Sequence, residues 1–178
     1  MSKIARFILK MFGWEVFGEF PRDLKKAIVV GAPHTSNVDF LIAVLTYRAL
    51  GFKARYLMKK EMFFFPLGCL LKAMGAIPVD RRPGNTVVDD VVKAIDKSDK
   101  FLLTVAPEGT RSKVEEWKGG FWRIAKATGL PVYAGTVNYK EKKAGVLGEV
   151  ELSDDFEADV KKTKAMYKAE WAKYPEMF

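Results

Sequence analysis

His34 is the only histidine among the 178 residues, and Asp39 stands five positions after it. An imidazole and a carboxylate within reach of each other make a proton-transfer pair. The carboxylate holds one ring nitrogen and favours imidazolium as the other nitrogen takes a proton. A second stretch with chemical content is Ala106-Pro107-Glu108-Gly109-Thr110-Arg111-Ser112. Arg111 offers a planar fork of donors suited to phosphate, and Gly109 lets a ligand approach the backbone closely. Arg81 and Arg82 supply further positive charge. Each fragment has a plainer reading. Asp39 can serve only the dipole of a helix, His34 can be an ordinary loop residue, and an arginine pair is often a solvated face.

These groups need elements to hold them. Ala27-Ile28-Val29-Val30 is a short apolar, β-branched run ending at glycine and proline, the pattern of a buried strand. Phe40, Leu41, Val44 and Leu45 then repeat with helical spacing, and Ser36 or Asn37 can cap that helix. His34 therefore falls on a strand-to-helix loop and Asp39 in the first helical turn. Ser36 invites a nucleophile reading, but its place favours a capping role.

Further strands are expected at 53–58, 76–79, 101–105, 132–137 and 146–152. Helices are expected from Val87 to Ile95 and from Phe121 to Thr128. A last helix spans about 155–173, with Phe156, Val160, Tyr167 and Trp171 turned inward. The apolar stretch 62–74 is split by Pro66. Strands alternating with helices give a single α/β domain with a largely parallel or mixed central sheet flanked by helices. In such sheets the loops at the carboxyl ends of strands gather on one edge. The His34 and Glu108 loops both follow strands, so they can converge.

The first 20 residues form a segment of their own character. Ile4, Phe7, Ile8, Met11 and Phe12 share one helical face, with Lys3, Arg6 and Lys10 on the other side. This basic amphipathic pattern suits an anionic membrane interface, and equally the covering of a core. No apolar run reaches the roughly 18 residues of a spanning helix. Net charge is +8, which draws the chain toward nucleic acid, an acidic membrane or a phosphorylated substrate. No nucleic-acid motif accompanies that charge. Cys69 is the only cysteine, so there is no intrachain disulfide and no cysteine metal cluster.

Taken in order, these stretches resemble the PlsC-like glycerolipid acyltransferases, which acylate lysophosphatidic acid and related lysolipids. His34-Thr35-Ser36-Asn37-Val38-Asp39 matches the family's His-x4-Asp block. Gly75-Ala76-Ile77-Pro78-Val79-Asp80-Arg81 resembles the second block, and Pro107-Glu108-Gly109-Thr110-Arg111-Ser112 the third. Leu130-Pro131-Val132 matches the fourth. The departures are Pro33, where an Asn often precedes the histidine, Pro78 in place of a bulky residue, and Ala106 in place of Phe.

The resemblance implies an acyltransferase domain over residues 21–178, with residues 1–20 as a membrane-associating segment. It implies a glycerol-3-phosphate-acyltransferase-like fold and a donor acyl thioester, either acyl-CoA or acyl carrier protein, with no further cofactor and no metal. The acceptor would be the free hydroxyl of a lysolipid, 1-acylglycerol-3-phosphate first, with a lyso-aminolipid as the alternative. His34 and Asp39 would be catalytic. Glu108, Gly109, Thr110 and Arg111, with Arg81, would bind the substrate phosphate. Lys59 and Lys60 would meet headgroups, and Phe63 and Phe64 would line an acyl channel or dip into the membrane. The enzyme would work at the cytoplasmic face of a membrane, as a peripheral or monotopic protein without a transmembrane helix. Two readings of other classes compete with it. One is a metal-dependent phosphoester hydrolase using His34, Asp39, Asp80 and Glu108. The other is a non-catalytic protein that binds anionic membranes.

Overall fold

A computed structural model describes residues 2–80 and 87–178. One seven-stranded sheet is built from β1 (Glu15–Phe17), β2 (Lys26–Gly31), β3 (Ala54–Lys59), β4 (Ala76–Val79), β5 (Phe101–Val105), β6 (Val132–Asn138) and β7 (Lys143–Val150). Their spatial order is β1-β7-β6-β2-β5-β3-β4. Only β6 and β7 pair antiparallel; the other paired strands run parallel. The helices are α1 (Ser2–Met11), α2 (Asn37–Ala49), α3 (Leu67–Met74), α4 (Val87–Asp96), α5 (Gly120–Thr128) and α6 (Phe156–Lys164). The expected mixed α/β domain is the one observed.

The centre of the sheet is buried on both faces, which is why its strands read as unbroken apolar runs. Ile28 and Val30 of β2 face a core shared with Phe101 and Leu103 of β5, Ile95 of α4, and Phe121 and Ile124 of α5. Ala27 and Val29 face the opposite core, with Leu102, Tyr133, Val44 and Tyr47. Each strand thus divides its side chains between two helix layers with period two. Such burial leaves the polar work to the loops.

The ends of the chain differ from the sequence expectations. β1 has only three residues and lacks the length to announce itself. It exists because Glu15, Val16 and Phe17 pair with Lys143, Ala144 and Gly145 along the open edge of β7. α1 lies on α2, burying Ala5 and Leu9 with Ile42 and Ala49. Residues 2–20 are therefore fastened to the body, while Ile4, Phe7, Met11 and Phe12 point outward.

The expected helix over 155–173 stops at Lys164. Asp155 caps its start by accepting the Ala158 N–H. Beyond it the chain continues through short 3-10 turns at Ala169–Trp171 and Pro175–Met177. The physical reason is Tyr167, which is buried and donates its hydroxyl to the Val30 carbonyl at 2.6 Å. That contact draws the chain over the end of β2 and out of helical register.

Gly145 marks the place where β1 and β7 come closest. A Cβ there would collide with the backbone carbonyl oxygen of Phe17. Gly145→Ala should cost about 1–3 kcal/mol, as overpacking against fixed backbone does. Gly120→Ala, with open space at its Cβ, should stay within about 0.5 kcal/mol of wild type. Urea unfolding of the two variants measures this. Equal midpoints would mean that β1 contributes nothing to the fold.

Candidate active site

The edge at the carboxyl ends of β2, β5 and β6 collects the polar residues. Val30 pairs with Val105, and Gly31 with Gly135, so the chains leaving these three strands emerge side by side. The loop after β2 carries His34, the loop after β5 carries Glu108, and the first residue after β6 is Tyr139.

The start of α2 fixes the dyad. Ser36 is the N-cap, with extended backbone, and its Oγ accepts the Val38 N–H at 3.2 Å. Asp39 closes the capping box from the third helical position: its Oδ2 accepts the Ser36 N–H at 2.8 Å. The same oxygen accepts the Thr35 N–H at 2.9 Å. Asp39 Oδ1 accepts the Tyr139 hydroxyl at 2.6 Å. Asp39 is 4% exposed, so these donors replace the water that its charge has lost. His34 Nδ1 lies 3.3 Å from Asp39 Oδ2, with 28% of the histidine side chain exposed. With Nδ1 turned to the carboxylate, Nε2 is the nitrogen free to meet a substrate. Both plain readings of the pair are thereby absorbed: Asp39 serves the helix start and faces the imidazole at once.

Glu108 sits where the two loops meet. Its Oε1 accepts the His34 backbone N–H at 3.1 Å, across 74 residues of sequence. The residue is buried, and its Oε2 has no hydrogen-bond partner among the described residues. Burial pushes its carboxyl up to about 7, assisted by the Asp39 charge and opposed by the His34 amide bond, the His34 charge and Lys164. The resemblance implies a place for Glu108 at the substrate phosphate, or in orienting Arg111 or a hydroxyl group; here its Oε1 meets the His34 backbone.

A cavity of about 140 Å³ opens beside His34 and Asp39. Phe40, Ala43 and Tyr47 of α2 line it on one side, and Tyr56, Leu57 and Met58 of β3 on another. Its walls are mainly apolar, yet the hydroxyls of Thr46, Tyr56, Thr104 and Thr136 within it have no partner among the described residues. Phe63 and Phe64, expected along an acyl channel, are not part of this lining. Phe63 is half-buried and Phe64 is 60% exposed. Lys59 and Lys60 are exposed at the end of β3.

Thr110 and Arg111 are exposed on the loop after Glu108, and Thr110 Oγ1 accepts the Ser112 N–H at 3.3 Å. Gly109 has φ of +67°, and the Lys118 side chain occupies the space that a Cβ there would take. Lys118 was not singled out from the sequence. Neither was Tyr139, although its position one residue past a strand whose end opens on the site edge was the available signal. Arg81 lies outside the described residues. Among the described residues, no three His, Cys, Asp or Glu side chains are grouped to hold a metal ion.

The arrangement is a buried, multiply anchored carboxylate, a partly exposed imidazole and an adjoining apolar cavity, with a cationic loop nearby. It can take a proton from a bound hydroxyl while an apolar group occupies the cavity. The Acyltransferase family model matches residues 15–138 of this chain. Among solved structures, the crystal structure of the 1-acyl-sn-glycerophosphate (LPA) acyltransferase PlsC from Thermotoga maritima is similar, with a TM-score of 0.64 and 18% identity. The match covers 93% of this chain and 76% of that one, and at such identity it speaks for the fold. No curated protein matches in sequence. The family match takes in every strand from β1 to β6 together with His34, Asp39 and the Glu108–Arg111 loop, and the chain belongs to the acyltransferase family.

Proposed function

We propose that this protein transfers a fatty acyl group from an acyl thioester, acyl-CoA or acyl-ACP, to the free hydroxyl of a lysolipid, 1-acylglycerol-3-phosphate first. The observation that carries the reading is the Asp39 carboxylate, anchored on three donors, with its Oδ2 3.3 Å from His34 Nδ1 beside an apolar cavity. In this mechanism His34 Nε2 takes the proton of the acceptor hydroxyl. The oxygen attacks the thioester carbonyl carbon, the C–S bond breaks, and the thiolate leaves with the electron pair. Asp39 offsets the positive charge that grows on the imidazole. The acceptor hydroxyl is itself the nucleophile, so Ser36 is free to remain a helix cap.

Arg111, with Thr110 and Gly109, supports a phosphate-bearing acceptor, because its exposed guanidinium lies on the loop that Glu108 ties to His34. Arg81 belongs to the same proposal by motif alone. Glu108 we assign as a strut between the two loops, not as a phosphate ligand.

The reading includes work at an anionic membrane surface on its cytoplasmic face. Ile4, Phe7 and Met11 of α1, and Phe12 just past it, are 64–68% exposed, beside Lys3 and Lys10. No helix among the described residues is long and apolar enough to cross a membrane, so α1 would lie in the interface. A lyso-aminolipid acceptor is the second reading, compatible with the same base and cavity.

Three measurements test this. Acyl transfer from a long-chain acyl thioester to lysophosphatidic acid should fall by about 10²–10⁴-fold in His34→Ala, with folding retained. Undiminished turnover would remove His34 as the base, and turnover with a lyso-aminolipid alone would reassign the acceptor. Next, the raised Glu108 carboxyl is protonated in the fold at pH values where the unfolded chain has already lost the proton. Wild-type stability should therefore decline from about pH 4.5 to about pH 7. Glu108→Gln lacks this slope, so its unfolding free energy, read from urea titrations, should gain on wild type across that window by on the order of 1–3 kcal/mol in total. Parallel curves would refute the buried-acid description. Last, Phe7→Glu with Met11→Glu should weaken co-sedimentation with anionic vesicles at least tenfold, each lost apolar side chain being worth about 1.5–3 kcal/mol. Unchanged binding would separate α1 from any membrane role.

A further inference from the structure

Asp39 Oδ2 is pinned by the amides of Thr35 and Ser36. Two donors on one oxygen leave the carboxylate free to swing about that oxygen. Its plane, and so the direction it presents to His34, is set by what holds Oδ1. That partner is the Tyr139 hydroxyl at 2.6 Å, a short charge-assisted bond across 100 residues of sequence.

Tyr139 is itself held. Its ring meets Trp14 edge-on, with centroids 5.1 Å apart. Its backbone N–H donates to the Trp171 carbonyl at 2.8 Å. Burial, the bond to Asp39 and the Asp39 charge raise its phenol above the usual range, so it stays a donor at any working pH. Tyr139 lies one residue beyond the family-matched span, and Trp14 one residue before it.

We propose that Tyr139 is a positioning residue for the His34–Asp39 pair: its hydroxyl fixes the plane of the carboxylate and draws negative charge away from the oxygen facing the imidazole. This rests on the reading of His34 as the base. The remaining groups around the pair are few. Glu108 faces it from the loop after β5, with Lys164 of α6 and Tyr167 acting on Glu108. Tyr174 of the C-terminal segment faces Tyr139. Tyr47 of α2 and Tyr56 of β3 share the cavity. Lys140 and Glu170 neutralise each other at 2.7 Å nearby. A change confined to the Tyr139 oxygen leaves all of these in place.

The sign follows. Without the phenol donor the carboxylate keeps more of its negative charge, and the imidazolium beside it is better stabilised. Tyr139→Phe retains the ring against Trp14 and removes only the oxygen. His34 is the only histidine, so one imidazole titration curve is read by NMR without assignment. Its midpoint should rise by roughly half a pH unit in Tyr139→Phe, the size expected of one neutral donor acting through an intervening carboxylate. The acid limb of the kcat/KM profile should move by the same amount. With the carboxylate plane released, kcat should fall about 3- to 30-fold, while KM for both substrates stays within about twofold.

A midpoint that stays in place, or falls, in folded Tyr139→Phe overturns the proposal even if the rate drops. Site-specific fluorotyrosine at position 139 tests the opposite sign on a nearly unaltered fold. A stronger donor should lower the midpoint, and no movement there is equally fatal. The titration is read without substrate. A surviving His34→Ala activity would therefore remove the base reading, while the Tyr139–Asp39 coupling would still be decided by NMR.

Discussion

The anchoring of one buried anion governs the arrangement around it. Asp39 is 4% exposed, and an uncompensated carboxylate at that depth would cost several kcal/mol or lose its charge. Three donors prevent this: two amides from the turn before α2 and the hydroxyl of Tyr139. Satisfying the anion fixes more than the anion. The two amides set the shape of the 32–36 loop, the capping box sets where α2 begins, and both place the imidazole against Oδ2. A site built this way needs little side-chain ordering when substrate arrives, because backbone geometry has already supplied it.

The sheet makes that anchoring feasible. β2, β5 and β6 are parallel neighbours with level ends, so the segments leaving them are adjacent whatever their separation in sequence. Each contributes one element of the site: His34 with Asp39, then Glu108, then Tyr139. The same strands are buried on both faces and carry mainly apolar side chains, with Thr104 and Thr136 facing the cavity. Chemistry is forced to the edge, and the edge at the carboxyl ends is the one where loops pass directly into helices. β7 departs antiparallel from β6 and carries no site residue, consistent with its turn back toward the other edge.

The sequence was most legible where local and tertiary demands agree. Ala27–Val30 and Phe101–Val105 are apolar at every position but Thr104 because both faces are covered, and such runs need no partner to be recognised. The Ser36 cap and the His34–Asp39 spacing are local as well. Legibility failed where tertiary contacts outvoted local pattern. Tyr167 and Trp171 kept a helical spacing with Phe156 and Val160, yet the Val30 carbonyl captured Tyr167 and ended the helix early. β1 is three residues of unremarkable sequence that the edge of β7 makes into a strand. Glu108 has a contact that no local pattern announces: its Oε1 accepts an amide 74 residues away. The cavity walls were invisible for a different reason: Phe40, Ala43 and Leu57 have the spacing of core residues, and a cavity is a place where the core does not quite close.

A division of labour emerges between the family-matched span and its flanks. Residues 15–138 contain the imidazole, its carboxylate and the cationic loop. The flanks contact Tyr139, Thr35 and the end of β2 from outside. Trp14 backs the ring of Tyr139, and the Trp171 carbonyl holds the Tyr139 amide. The Tyr174 amide donates to Thr35 Oγ1 at 3.3 Å, and the Tyr167 hydroxyl closes the end of β2. A surface loop cannot bury its own backbone, so its rigidity has to come from whatever is laid over it. In this chain Trp14 and the C-terminal segment supply such contacts, to Tyr139 and to Thr35. α1 belongs to the same packing: its Ala5 and Leu9 share a core with Tyr139, the hydrogen-bond partner of Asp39, while its opposite face stays exposed and apolar.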